Sequence, residues 1–151
     1  MDTIASFEVD HTVLKPGIYL SRVDHGVRTY DVRVTVPNQE FLPNSAMHTI
    51  EHLFAVHARN GEKGDKIIYF GPMGCRTGFY LLMINSTDAE AVALIQETFS
   101  FIASYEGDIP GTAEKECGNY REHDLPTAKR YAAEQANHLI NWTEEDLNYP
   151  V

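Results

Sequence analysis

Apolar and polar residues alternate over two stretches of the chain in a pattern that predicts β-strands. The segments GIYLSRV and VRTYDVRVTV both alternate, and the DHG between them is typical of a tight turn. Two further strands are predicted at KIIYF and TGFYLLMIN, which the Gly- and Pro-rich GPMGCR separates. The pattern therefore predicts a strand–turn–strand unit within residues 17–36 and two later strands within residues 66–85.

Three helices are predicted from apolar spacing and from their end signals. The first runs from about Ser45, as its N-cap, to Gly61, where it stops. The second begins at TDAE, in which Thr87 and Glu90 have capping-box spacing, and the third follows Pro126 through TAKRYAAEQANHLINW. Two strands come first, and the later strands and helices do not alternate as regular βαβ units. This order indicates an α+β fold. We expect an antiparallel β-sheet packed with about three main helices.

The composition limits the class of protein. A chain of 151 residues, 43% hydrophobic and 23% charged, is predicted to form a single domain over residues 1–151. Its net charge of −10 argues against nucleic acid or an anionic membrane as a partner. The start, MDTIASFEVDHTVL, lacks the basic and apolar regions of a signal peptide, and no segment resembles a membrane span. We therefore expect a cytoplasmic protein, and its few arginines leave room for binding an anionic small molecule.

The segment HTIEH carries the strongest chemical signal. On a helix, His48 and His52 project side by side, four residues apart, and can bind one metal ion. Glu51 flanks the pair, where a general base would stand, and H-x-x-E-H is the inverzincin signature. The alternative is a solvated helix face with scattered polar residues. His57 falls on the apolar face, and we interpret it as a packed, hydrogen-bonded core histidine.

The two cysteines, Cys75 and Cys117, are expected to be free in a reducing cytoplasm, as ligands or catalysts rather than as a disulfide. Cys117 lies in an irregular stretch that could fold back onto the histidines as a third ligand. A His₂Cys set suits zinc, Fe(II) or Co(II). Cys75 is flanked by glycines and a proline, which favours an accessible thiol for acid/base or nucleophilic chemistry. The alternative for Cys75 is a small buried apolar residue.

Together these motifs resemble the S-ribosylhomocysteine lyase (LuxS) family. The resemblance is carried by SFEVDHT, YDVRVTVPN, HTIEHLFAVHARN, GPMGCRTGFYL and EKECGNYREHDL, and it runs through nearly the whole chain. It implies a fold similar to the inverzincin-like metallohydrolase domain and a homodimer with sites at the subunit interface. It also implies cleavage of S-ribosylhomocysteine to homocysteine and 4,5-dihydroxy-2,3-pentanedione, the autoinducer-2 precursor. The route would be carbonyl migration along the ribose followed by β-elimination of the thioether.

The resemblance assigns roles to individual residues. One divalent metal per subunit, Fe(II) with zinc or cobalt as substitutes, would be bound by three ligands: His48, His52 and Cys117. Two residues would be the paired acid/base groups: Cys75 and Glu51. Three would contact substrate from the neighbouring subunit: Ser6, His11 and Arg33. Arg59 would lie near the homocysteine end.

The chain departs from the family at two positions, and two other functions compete. Gly71 replaces a frequent serine and Tyr69 a frequent aspartate, which puts details of substrate binding in doubt. The first competitor is an inverzincin-type zinc hydrolase in which Glu51 activates water, but the short chain and Cys117 argue against it. The second is a non-catalytic metal-binding or sensor domain, in which Cys75 would be superfluous.

Overall fold

The computed structural model describes residues 1–151, and its central element is a four-stranded antiparallel sheet. The strands are β1 (Gly17–Asp24), β2 (Val27–Arg33), β3 (Ile67–Pro72) and β4 (Gly78–Met83), in the spatial order β1-β2-β4-β3. His25 and Gly26 join β1 to β2 with positive φ angles of 53° and 79°, as a two-residue hairpin turn of the primed type requires. The α+β class with an antiparallel sheet is thus confirmed, while the similarity to the inverzincin-like domain stays a prediction.

Four α-helices accompany the sheet: α1 (Ala5–Glu8), α2 (Asn44–Arg59), α3 (Asp88–Ala103) and α4 (Leu125–His138). The three long helices are the three predicted from the sequence. The short α1 and the single 3₁₀ turns at Gly64–Lys66 and Glu144–Asp146 were not predicted. None of the helices combines the length and the apolar character needed to cross a membrane.

The predicted helix ends are only partly right. The capping box of α3 is confirmed, because Thr87 Oγ1 accepts a hydrogen bond from the Glu90 N–H (3.1 Å) and the Glu90 carboxylate accepts one from the Thr87 N–H (3.4 Å). Ser45 is not the N-cap of α2. That position belongs to Pro43, whose extended backbone (φ −58°, ψ 144°) precedes the first helical residue and which offers no side-chain cap.

The third predicted helix ends earlier than expected, at His138 rather than at Trp142. Two features of the structure explain the difference. The Gln96 side-chain amide donates to the carbonyls of Leu139 and Trp142 (2.8 and 2.9 Å), which satisfies acceptors that the helix leaves unpaired. The Trp142 indole N–H donates to the Ile18 carbonyl of β1 (3.0 Å), so the chain turns towards the sheet.

The core lies between one face of the sheet and the helices. Alternate strand residues point to this side and are fully buried: Ile18, Tyr30, Val32, Phe79, Leu81 and Met83. Helix α2 contributes Ile50, Leu53 and Phe54, and the Phe54 ring stacks on Phe70 of β3 at 3.8 Å between centroids. The apolar face of α2 is therefore fixed against the sheet, and its histidine face is turned elsewhere.

The opposite side of the sheet, called the outer face below, carries the other strand residues. Its members across the central strands include Thr29, Asp31, Arg33, Tyr80 and Leu82. Asp31 pairs in register with Tyr19 of β1 and with Tyr80 of β4, so these three side chains are neighbours. The C-terminal segment, residues 147–151, folds onto this face through Leu147 and Tyr149.

The α3 capping box gives a direct test of the fold. Thr87→Ala removes the acceptor for the Glu90 N–H and should lower the free energy of unfolding by about 1 kcal/mol. Thr87→Ser keeps the hydroxyl and should stay close to wild type. Urea unfolding followed by circular dichroism measures both variants. An alanine variant as stable as the serine variant would show that the cap contributes nothing.

Candidate metal centre

Helix α2 places two imidazoles side by side. The rings of His48 and His52, one helical turn apart, lie 4.6 Å apart between centroids. Each Nδ1 is hydrogen-bonded to a backbone carbonyl, that of His48 to Glu122 (2.8 Å) and that of His52 to Pro110 (2.9 Å). A carbonyl only accepts, so both Nδ1 atoms carry the proton and both Nε2 atoms have a lone pair. This is the arrangement that orients metal-binding histidines in proteins.

Cys117 completes a three-donor cluster. Its Sγ lies 3.3 Å from His48 Nε2 and 3.9 Å from His52 Nε2. A tetrahedral metal with bonds of about 2.1 Å to nitrogen and about 2.3 Å to sulfur separates N and S by roughly 3.6 Å. The observed spacings bracket that value, so these three residues could hold a metal ion.

His123 joins this cluster, and sequence analysis missed it. One of its ring nitrogens lies within 4.8 Å of the three other donor atoms. Nδ1 is 3.0 Å from Thr49 Oγ1, a hydroxyl that also donates to the Ser45 carbonyl (3.1 Å) and accepts from the Asp124 N–H (3.0 Å). With the hydroxyl proton directed at Ser45, Nδ1 is the donor to Thr49. The Nε2 of His123 is then left as an acceptor.

That Nε2 atom is the one buried side-chain nitrogen or oxygen without a hydrogen-bond partner in the chain. Burial, reinforced by the neighbouring His48 and His52, lowers the pKa of His123 to about 4. A neutral, unpartnered acceptor beside two free lone pairs and a thiol is what a bound cation would stabilise. The residues present therefore fit a divalent metal.

The ring orientation of His123 sets it apart from the three predicted ligands. Its ring is almost parallel to that of His48, with 4.0 Å between centroids and 23° between planes. The lone pair of an imidazole nitrogen lies in the plane of its ring. Two nearly parallel rings stacked on each other therefore cannot easily direct their lone pairs at the same ion. The signal that could have found His123 is its place in the loop of Cys117, directly before the N-cap of α4, Asp124.

The other polar residues of α2 differ in their surroundings. Glu51 is half-buried and directly precedes His52. His57 stacks on Phe101 at 3.9 Å between centroids, and its Nε2 lies 2.9 Å from the Glu97 carboxylate. The prediction that His57 is packed and hydrogen-bonded is confirmed, although it lies at the edge of the core rather than within it.

Cys75 lies in the turn between β3 and β4. Both cysteines are free, as predicted, and the Cys75 side chain is exposed. Its Sγ lies 3.1 Å from Thr77 Oγ1 and 3.9 Å from Arg33 Nη1. The Leu42 N–H, just ahead of α2, donates to the Arg76 carbonyl (2.8 Å), which brings this turn next to the start of the histidine helix.

The arginine that the resemblance places in the neighbouring subunit's site lies beside Cys75 of its own chain. Arg33 forms a buried ion pair with Asp31, with N–O distances of 3.1 and 2.6 Å, and donates to Thr77 Oγ1 (2.8 Å). The remaining approach of the guanidinium is to Cys75. Any site that uses one of these two residues therefore uses the other from the same chain.

The remaining candidates lie away from the histidine cluster. Ser6, in α1, lines a cleft of about 600 Å³ on the outer face with Tyr80 and Leu82. His11 Nδ1 is hydrogen-bonded to the Val9 carbonyl (2.8 Å). The Arg59 guanidinium donates to backbone carbonyls of β3 at 3.4 and 2.9 Å.

Gly71 and Tyr69, the two positions at which the sequence departs from the expected family pattern, are neighbours in the structure. A Cβ atom added at Gly71 would collide with the ring of Tyr69, which lies on the same side of β3. Glycine at position 71 therefore provides the room that the tyrosine at position 69 occupies. The two replacements form one local change in the wall of the outer face.

The chain is similar to known proteins over nearly its whole length. The family model described as S-Ribosylhomocysteinase (LuxS) matches residues 4–146. The S-ribosylhomocysteine lyase of Clostridium acetobutylicum is 46% identical over 157 residues, 99% of both chains. That of Finegoldia magna is 46% identical over 156 residues, 99% of both chains. That of Phocaeicola vulgatus is 49% identical over 158 residues, 99% of this chain and 98% of the relative. A zinc hydrolase finds no support among these relatives.

We expect substitutions in this cluster to weaken metal binding to two different degrees. His48→Ala, His52→Ala and Cys117→Ala each leave two protein ligands, so each variant should lose its tightly bound metal, as elemental analysis would show. His123→Asn keeps an amide near the Nδ1 position but removes Nε2, and it should weaken metal affinity by about ten- to hundredfold.

The control for His123 is His138→Asn, at a histidine whose Nδ1 is bonded to Gln135 on α4 (3.1 Å), and it should bind metal like wild type. Competition with a chelator of known affinity measures both. Unchanged affinity in His123→Asn would remove that residue from the centre, and full metal content in any alanine variant would remove that ligand.

Proposed function

Because this chain belongs to the S-ribosylhomocysteinase (LuxS) family, we propose that it cleaves S-ribosylhomocysteine to homocysteine and 4,5-dihydroxy-2,3-pentanedione at the centre formed by His48, His52 and Cys117. It is a carbon–sulfur lyase. The observation that carries the assignment is the convergence of two free imidazole nitrogens and a thiol beside a third, unpartnered nitrogen. The family assigns the reaction, and the cluster supplies the chemistry that the reaction needs.

The cofactor of this centre is one divalent metal per subunit, Fe(II), with zinc or cobalt as substitutes. The mixed donor set of two nitrogens and one sulfur suits these borderline ions better than magnesium or calcium, which prefer oxygen. When bound, the metal supplies Lewis-acid stabilisation of the negative charge that develops on the sugar oxygens.

The reaction requires three proton removals from the sugar. A proton leaves C2 and one is returned to C1, and then a proton leaves C3 and one is returned to C2, so the carbonyl moves from C1 to C3. Loss of a proton from C4 then expels the homocysteine thiolate from C5, which is β to the new carbonyl. The elimination leaves an enol, which gains a proton at C5 and loses its hydroxyl proton at C4 to give the diketone, while the thiolate takes up one proton. Each transfer needs a positioned acid/base group.

Glu51 and Cys75 are the two acid/base groups. Glu51 lies on α2 between the two ligand histidines, so its carboxylate belongs to the same helix surface as the metal. Cys75 is exposed, and its sulfur is oriented by Thr77 and Arg33 at 3.1 and 3.9 Å. A carboxylate and a thiol held on separate elements allow protons to be moved at different carbons.

The substrate-binding residues are Ser6, His11, Arg33 and Arg59, in a homodimer with its sites at the subunit interface. The support is topological, because Ser6 and Arg33 belong to the outer face whereas the histidines belong to the helix layer. The outer face also exposes large apolar surface, including a Tyr69 side chain that is 53% exposed. A second copy that brings its outer face to the histidine helix would complete the site, with Cys75 and Arg33 from one chain.

The setting is the cytoplasm, where the two free thiols that the site uses would stay reduced. There the reaction serves autoinducer-2 synthesis, and with it quorum sensing, and it returns homocysteine to methionine metabolism.

Turnover and metal content should separate the acid/base groups from the ligands. Anaerobically purified protein should release one homocysteine per S-ribosylhomocysteine, counted with a thiol reagent. Glu51→Gln and Cys75→Ser should keep the metal but lose at least about a hundredfold in kcat, as expected for a missing acid/base group. Glu62→Gln, at an exposed glutamate just beyond α2, is the matched control and should turn over normally. Near wild-type turnover by metal-loaded Glu51→Gln would contradict the two-base mechanism.

Mixed dimers test how the site is shared. If Cys75 serves the partner's metal, a dimer of one His52→Ala chain and one Cys75→Ser chain contains one intact site and should show about half the activity of a wild-type dimer. A dimer of one His48→Ala and one His52→Ala chain has no intact ligand set and should be inactive. Tagged chains separated by tandem affinity purification give both species. An inactive His52→Ala/Cys75→Ser dimer would refute the shared site.

A further inference from the structure

The outer face contains a buried charged network that reaches Cys75. Asp31 and Arg33 are only 1% and 2% exposed, and the guanidinium binds both carboxylate oxygens through Nε and Nη2. The remaining nitrogen, Nη1, donates to Thr77 Oγ1 at 2.8 Å and approaches Cys75 Sγ at 3.9 Å. The planar guanidinium cannot turn without breaking the bidentate pair. The bidentate ion pair with Asp31 therefore fixes the direction of Nη1.

The C-terminal segment supplies a third hydrogen-bond donor to this carboxylate, after Nε and Nη2 of Arg33. The Tyr149 hydroxyl donates to Asp31 Oδ2 at 2.8 Å, the same oxygen that accepts from Arg33 Nη2 at 2.6 Å. The Tyr149 ring stacks on Tyr19 with 5.0 Å between centroids, and the Leu147 carbonyl accepts from the Leu20 N–H (2.9 Å). The segment is thus anchored along β1. Tyr149 lies outside residues 4–146, the part of the chain that the family model matches.

The phenol is held in its donor form. Burial, followed by the charge of Asp31, raises the pKa of Tyr149 far above its ordinary value. Burial and Asp31 also raise the pKa of Tyr80, the other phenol that faces the network. Both tyrosines therefore stay neutral near pH 7, and the charges within this hydrogen-bonded network are those of Arg33 and Asp31. A hydrogen bond from Tyr149 draws negative charge on Asp31 away from the guanidinium.

We propose that Tyr149 is a positioning residue for Cys75, acting through Asp31 and Arg33. By sharing Asp31 Oδ2, the tyrosine holds the carboxylate in place and leaves more of the positive field of Arg33 directed at the sulfur. Arg33 and Thr77 then keep the sulfur in one orientation beside the guanidinium. The proposal rests on the acid/base role of Cys75 stated above, and it adds to the site a residue of the C-terminal segment, 118 positions from Asp31 in sequence.

The test is Tyr149→Phe in the metal-loaded full chain, a change that keeps the stacked ring and removes only the hydroxyl. The first readout is the rate of Cys75 alkylation by iodoacetamide at fixed neutral pH, resolved from Cys117 by peptide mapping. It should fall about three- to tenfold. The second readout is turnover of S-ribosylhomocysteine, in which kcat should fall by a similar factor with KM unchanged. Metal content and the thermal midpoint should stay at wild-type values, which separates positioning from loss of fold.

Tyr131→Phe is the matched control, because it also removes a tyrosine–carboxylate hydrogen bond, to Glu40 at 2.8 Å, in a pair that is not hydrogen-bonded to Asp31, Arg33, Thr77 or Cys75. It should leave Cys75 alkylation unchanged. A wild-type alkylation rate in Tyr149→Phe would overturn the proposal, and so would a faster rate, which would mean that the segment merely shields the thiol. The alkylation result stands even if wild-type protein releases no homocysteine, an outcome that would instead refute the proposed function.

Discussion

The burial of one face of helix α2 determines where the two candidate ligands His48 and His52 point. Ile50 and Phe54 are fully buried, and Phe54 is stacked on Phe70 of the sheet. Rotating the helix by one residue, about 100°, would expose such side chains at a cost of roughly 1.5–3 kcal/mol each. Because the apolar face cannot move, His48 and His52 are held on the opposite side by the core itself. The ligand pair is thus organised before any metal binds.

Backbone contacts join the loop that carries Cys117, the third candidate ligand, to this helix. Its carbonyls at Pro110 and Glu122 accept from His52 and His48 and fix which nitrogen of each ring is protonated. Gly111 has a positive φ of 72°, and a Cβ there would come within 3.2 Å of His52 Nδ1, so glycine allows the loop to approach the ring. Metal binding and the folding of this irregular segment should therefore be coupled.

Local sequence patterns predicted the strands, the three long helices and the paired histidines, because each depends on residues close in sequence. The α2 N-cap at Ser45 was wrong, since Pro43 sets the extended backbone just ahead of the helix. His123 was missed because its role comes from packing against a helix more than 70 residues away. The contact between Asp31 and Tyr149 could not be predicted either, since only the sheet and the path of the C-terminal segment bring the two residues together. Cys117 was placed by ligand chemistry and family resemblance rather than by spacing.

The identity of the five-carbon product distinguishes carbonyl migration from simple hydrolysis of the thioether. A pair of histidines on one helix also occurs in hydrolases that use a metal-activated water, and hydrolysis of the thioether would release homocysteine as well. Only migration followed by elimination turns the sugar into a diketone. Metal-loaded protein should convert S-ribosylhomocysteine to 4,5-dihydroxy-2,3-pentanedione, which an aromatic 1,2-diamine traps as a quinoxaline for mass spectrometry. Recovery of ribose in an amount equal to homocysteine, with no quinoxaline, would contradict the account.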